Sequence, residues 1–106
     1  MSYRRVQLTK SSFDNDYIKL TEILDFFPKE LFGGSNKEEQ SNIKATLYFG
    51  ISDAVEADID GSKNFFRVRG PFTRRFFAAH SLQPGDFVVF EKTGQYQYHV
   101  YPQRDF

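Results

Sequence analysis

Apolar and polar positions divide this chain into short segments. Val6-Gln7-Leu8-Thr9 alternates and predicts an opening strand, and the polar run from Lys10 to Asp16 behind it reads as a loop. Tyr17 to Leu20 extends briefly. Thr21 then offers an N-cap and Glu22 suits a first turn. Ile23, Leu24 and Phe27 fall at helical spacing until Pro28, which predicts a helix of about two turns buried on one side. Gly33 to Asn42 is the most polar stretch, an exposed loop too short to separate two domains.

From Ile43 the period changes to that of strands. Ile43 to Phe49 is one, and Ala54 to Asp60 is a second. In the second, Val55, Ala57 and Ile59 share one face while Glu56, Asp58 and Asp60 share the other, as expected of a half-buried strand with a solvated acidic side. Gly61-Ser62-Lys63 reads as a hairpin turn and Asn64 to Arg69 as its return. Thr73 can cap a short helix through Ala79 that ends before Pro84-Gly85. Phe87 to Glu91 and Tyr96 to Tyr101 then flank a hairpin at Lys92 to Gln95. Six or seven short strands with two short helices suggest a small barrel or sandwich.

The 106 residues, 40% hydrophobic, suffice for one compact core, so a single domain over residues 1–106 is expected and a multidomain enzyme is excluded. With 13 Phe and 6 Tyr but no Trp and one Met, the aromatic content suits twisted strands better than a Leu-rich bundle, and the fold class is mainly β (α+β). The lack of cysteine excludes disulfides, thiolate nucleophiles and cysteine metal sites. Met1 to Val6 leads into no signal-like apolar run, and no stretch approaches the ~18 apolar residues of a membrane span. A soluble, cytoplasmic protein with no membrane partner is the expectation.

The 14 basic and 14 acidic residues cancel, but they are sorted along the chain. Residues 1–13 carry Arg4, Arg5 and Lys10 with no acid, and residues 61–85 carry Lys63, Arg67, Arg69, Arg74 and Arg75 with no acid, +8 together against −8 for the remainder. Two acid-free segments make a nucleic-acid footprint if the fold brings them to one face.

Candidate catalytic chemistry is sparse. Glu56-x-Asp58-x-Asp60-Gly61 imitates the start of a calcium loop, but Arg67 stands where a bidentate Glu should close it. His80 and His99 lie on different elements without an acidic partner at motif spacing, and His80 suits a helix end. No nucleophile, phosphate-loop or metallohydrolase motif occurs, so neither a catalytic site, a metal nor a cofactor is expected in this chain. Two polar loops carry the types that meet phosphates and base edges: Lys10, Ser11, Ser12 and Asn15 in one, Ser62, Lys63 and Asn64 in the other. On spacing alone, ordinary solvent-facing turns remain the simpler reading of both.

Phe66-Arg67-Val68-Arg69-Gly70-Pro71-Phe72, the aromatic pair Phe76-Phe77 and the Leu82-x-x-Gly85-Asp86 turn before Phe87-Val88-Val89-Phe90 resemble the B3-type DNA-binding pseudobarrel. Leu8 to Ser12, Leu20 and the helix ending near Phe27-Pro28 resemble that family's entry. Phe72 stands where plant members usually carry Trp, which fits better the bacterial branch that serves as recognition or effector domain of restriction endonucleases. The resemblance implies an open seven-stranded pseudobarrel with two short helices, gripping the major groove of double-stranded DNA with two arms. Mapped onto this chain, the arms are Lys10, Ser11, Ser12 and Asn15, and Asp60, Ser62, Lys63 and Asn64 with Arg67 on the flanking strand. In that reading Lys10 and Lys63 meet phosphates, Asn15, Asn64 and Arg67 read base edges, and Arg69 broadens the basic surface. A nuclease domain in the same or another chain is the further partner implied. The competing reading is a protein-interaction or small-ligand barrel that presents Tyr96, Tyr98 and Tyr101 with the 33–42 loop.

Overall fold

The computed structural model describes residues 2–103, so Arg104, one of the cations in the acidic remainder, lies outside the described residues. The strands are β1 (Tyr3–Gln7), β2 (Phe32–Gly33), β3 (Ala45–Tyr48), β4 (Val55–Ala57), β5 (Ile59–Asp60), β6 (Phe65–Phe66), β7 (Phe87–Gly94) and β8 (Gln97–Gln103). Two α-helices, α1 (Lys10–Asn15) and α2 (Gly70–Ala79), and short 3-10 turns complete the chain. Five strands form one sheet in the order β1-β7-β8-β3-β4, three form another in the order β2-β5-β6, and the sheets do not close into a barrel. The fold class is therefore the expected α+β, with eight strands among the described residues rather than seven. No described helix is long and apolar enough to cross a membrane.

Aromatic packing holds the two sheets together. Phe27 is central: its ring centroid lies 5.3 Å from Phe66 of β6, 5.9 Å from Phe90 of β7 and 5.1 Å from Tyr98 of β8. Edge-to-face contacts of this kind add to the burial of the rings themselves. Around them Leu20, Leu31, Leu47, Ile59, Val88 and Val100 are inaccessible to solvent. The expected helix at Thr21–Phe27 is instead a 3-10 turn over Thr21–Phe26, interrupted at Ile23, whose φ of −128° leaves the helical region. Ile23 and Phe27 are nevertheless both buried, as the spacing implied.

Two further segments depart from expectation. Lys10 to Asn15 is helical rather than a loop. Ser12 Oγ accepts the Thr9 amide at 3.0 Å, satisfying a free N–H at the helix start, and Asp16 ends the helix with φ of 55°. Phe13, the helix's lone apolar residue, packs on Phe77 of α2 at 4.6 Å. The acidic face expected on residues 54–60 is solvated only at Glu56: Asp58 and Asp60 are buried together with Ala57 and Ile59, because β4 ends at Ala57 and the 33–41 segment covers the second face beyond it. The Leu82 to Asp86 turn forms as expected. Gly85 takes φ of 99°, and the Asp86 carboxylate accepts the Gln83 amide at 2.8 Å.

Candidate nucleic-acid interface

The turn at residues 61–64, between β5 and β6, is held from beneath by Asp60. Its Oδ1 accepts the Ser62 amide at 2.9 Å, the Ser62 hydroxyl at 2.7 Å and the Lys63 amide at 3.1 Å, while the Asn64 amide donates to the Asp60 carbonyl at 2.8 Å. Asn64 reverses the chain with φ of 61°, a conformation Asn tolerates better than most residues. Gly61, Ser62 and Lys63 stay exposed at the tip.

Asp60 in turn belongs to a buried charge cluster. Arg67 donates to both oxygens of Asp58, Nε at 2.8 Å and a terminal nitrogen at 3.0 Å, and that nitrogen also donates to the Gly34 carbonyl at 2.6 Å. Its other terminal nitrogen lies 3.3 Å from Asp60 Oδ2. The Ser41 amide completes the shell of Asp58 at 2.9 Å. Burial pushes the Asp58 carboxyl up, but the Arg67 hydrogen bonds, the Ser41 amide and the Arg67 charge outweigh it and hold the group below the usual carboxylate range. Asp60 is likewise held low, burial being outweighed by the Ser62 hydroxyl, the two turn amides and Arg67. These bonds raise the affinity of Arg67 for its proton.

This geometry reassigns three sequence candidates. Arg67 has only 14% of its side chain exposed and Asp60 turns its carboxylate inward, so both frame the second arm from inside. Ser12, within α1, is likewise buried. The remaining candidates face solvent, Asn64 only in part. Lys10 is exposed and bridges Asp14 at 3.0 Å, a surface pair that costs little to open. Asn15 donates to the Ser11 carbonyl at 3.0 Å, and Ser11 Oγ lies 2.8 Å from the Tyr17 hydroxyl. Arg69 is exposed at the N-cap of α2, where its carbonyl accepts the Phe72 and Thr73 amides.

The two arms meet. Tyr17, just beyond α1, packs on Phe65 of β6 with centroids 5.3 Å apart. Lys19 crosses between them: its ammonium donates to the Lys63 carbonyl at 2.6 Å and lies 5.2 Å from the Tyr17 ring and 5.7 Å from that of Phe65. The Leu20 amide donates to the Asn64 carbonyl at 2.7 Å, so backbone as well as side chains join the arms. Between them lies a cavity of about 120 Å³, bounded by Asn15 and Tyr17 on one side, Phe65 on the other and Phe49, Phe66 and Phe90 among its apolar lining.

The overall fold is similar to that of the N-terminal domain of Helicobacter pylori LlaJI.R1. The superposition covers 98% of this chain and 88% of that domain, with a TM-score of 0.58 and 12% sequence identity, which establishes likeness of fold. No family profile matches this chain, and no curated protein matches it by sequence.

Lys19, Tyr17 and Phe65 were not singled out in the sequence, although the alternation of Tyr17 and Lys19 with buried Ile18 and Leu20 is a signal that places both toward the surface. The basic segments converge only in part. Lys10, Lys63, Arg69 and Arg74 surround the arms, with Arg74 held to Asp16 at 2.6 Å, whereas Arg5 stacks 4.1 Å from Phe87 and Arg4 lies 5.1 Å from Phe26, both on β1. The tyrosine surface of the competing reading does not form. Tyr98 is wholly buried, and the half-buried Tyr96 and Tyr101 bond Glu30 and Glu91. Among the described residues, no three His, Asp or Glu side chains are placed to hold a metal ion.

Proposed function

We propose that this chain is a sequence-specific binding module for double-stranded DNA of the B3 type, entering the major groove with α1 and the 61–64 turn. One observation carries the reading: two polar, cation-bearing segments, α1 and the 61–64 turn, are fastened side by side through Lys19, whose ammonium bonds the Lys63 carbonyl 44 residues along the chain. Lys10, Lys19 and Lys63 contact phosphates, and Asn15 and Asn64 read base edges. Arg67 and Asp60 hold the second arm in shape before DNA arrives, which lowers the ordering cost of binding. The likeness of fold to a domain of LlaJI.R1, a restriction-enzyme-related protein, supports this reading and suggests the same kind of role. The chain would then recognise DNA for a nuclease activity located in another domain or chain, without cutting it itself.

An electrophoretic shift assay with a randomised duplex library tests the proposal. Wild-type protein should retain and enrich a short sequence, and Lys63→Glu should weaken retention at moderate salt. Equal retention by the two proteins would remove the second arm from the interface, and failure to enrich any sequence would remove specificity.

A further inference from the structure

The cavity between the arms has no task in reading a duplex whose bases stay stacked. At about 120 Å³ it is far smaller than the roughly 300–1,000 Å³ that encloses a drug-sized ligand, which leaves room for a single small ring system. Its chemistry is two-sided. Tyr17 and Phe65, with ring planes inclined by 33°, present an aromatic wall above an apolar floor. Asn15, Asp16 and Thr73 add amide, carboxylate and hydroxyl groups to the same lining. Asn supplies donors and an acceptor, and Asp16 keeps acceptor capacity beyond the bonds it receives from Arg74. A planar heterocycle with polar atoms along one edge matches both sides. Lys19 lies beside the aromatic wall and Lys63 on the adjoining turn, where the phosphates flanking such a ring would need cations.

We propose that this cavity receives one nucleobase swung out of a duplex held by the two arms. The inference rests on the DNA-binding reading above and deepens it. A base in this position stacks on Tyr17 and Phe65 and offers its pairing edge to Asn15, Asp16 and Thr73. Those contacts offset the unstacking and unpairing of the duplex, and the offset is most favourable where pairing is already broken.

The test compares binding of wild-type protein to a fully paired duplex and to the same duplex carrying one bulged 2-aminopurine, whose fluorescence reports its stacking partners. The bulged duplex should bind about tenfold more tightly or better, with a change in 2-aminopurine emission on binding. Phe65→Ala and, separately, the milder, isosteric Thr73→Val should erase most of that preference while leaving affinity for the paired duplex in place. Thermal melts confirm that each variant is folded. Equal affinity for both duplexes, or a preference that survives both substitutions, overturns the cavity assignment alone. Failure to bind either duplex overturns the DNA-binding reading and this inference with it.

Discussion

Replacing Arg67 by Met keeps most of the side chain's length and removes its charge. Asp58 then loses two hydrogen bonds, at 2.8 and 3.0 Å, and Asp60 loses its cation at 3.3 Å, which leaves two buried carboxylates facing each other. Removing one partner of a buried ion pair costs about 3–5 kcal/mol, against a total of about 5–15 kcal/mol for a domain of this size. At about 4–8 °C per kcal/mol the melting midpoint should fall by roughly 12–40 °C at neutral pH. The sign of the pH response also reverses. In the wild type both carboxyls are held low, so acid removes stability. In Arg67→Met, burial with only the Ser41 amide and no cation beside it raises the Asp58 pKa, so stability increases as pH falls from 7 toward the carboxylate range near 4. Circular dichroism melts at pH 7 and pH 5 read the loss and the variant's recovery on acidification, and melts below pH 4 read the opposite response of the wild type. A variant that melts within about 5 °C of wild type at pH 7 would refute the structural role and return Arg67 to the list of candidate base readers.

In the wild type the depressed Asp58 and Asp60 pKa values contribute stability that is complete above the unfolded carboxylate value of about 4 and lost as pH falls through the folded values, so the urea midpoint should drop below pH 4 and stay level between pH 5 and 7. Gly33→Ala should destabilise by more than the ~0.5 kcal/mol of a surface change, since the new Cβ would collide with Asp58 Oδ2 and sit 2.7 Å from Arg67 and from the Glu39 carbonyl; an unchanged melt would show that the cluster can shift freely. The Tyr98 hydroxyl is buried without a hydrogen-bond partner in the structure, and burial pushes its pKa up to about 12, so Tyr98→Phe should be neutral or stabilise by ~1–2 kcal/mol; a marked loss in denaturant titration would reveal a partner such as a buried water. Lys63→Ala should reduce the slope of log affinity against log salt by about one, without altering the preferred sequence.

Elements whose apolar period was regular were legible in advance. Phe76 and Phe77 on α2, strands β7 and β8 and the Leu82 to Asp86 turn stand where local pattern placed them, because burial and turn chemistry act there over a few neighbouring residues, although α2 begins at Gly70 rather than at a Thr73 cap and the hairpin turns at 95–96 rather than 92–95. Elements fixed by distant partners were not. Helix α1 carries a single apolar residue, Phe13, and depends on Thr9, Ser12 and the face of α2. Asp58 and Asp60 alternate as solvent-facing acids do, and only Arg67 and the 33–41 segment, brought over them by tertiary folding, turn that face inward. The two arms were named from residue types and a family resemblance. Their contact rests on Lys19 reaching a carbonyl 44 residues away, which no local pattern encodes.

The strand order carries a consequence for the way the molecule assembles. β8 lies between β7 and β3 and pairs in parallel with β3, a strand about fifty residues earlier, through Thr46 with Gln97 and Tyr48 with His99. Until residues 97–103 are available, β3 and β4 have no sheet to join, and Phe27 lacks the Tyr98 ring it packs on. Closing that long loop is entropically costly and comes before most of its reward, which predicts slow, all-or-none folding. On the ribosome the arms would therefore acquire their shape only after β8 has left the exit tunnel, so a nascent chain halted at Gly94 should show neither the cavity nor the joined arms.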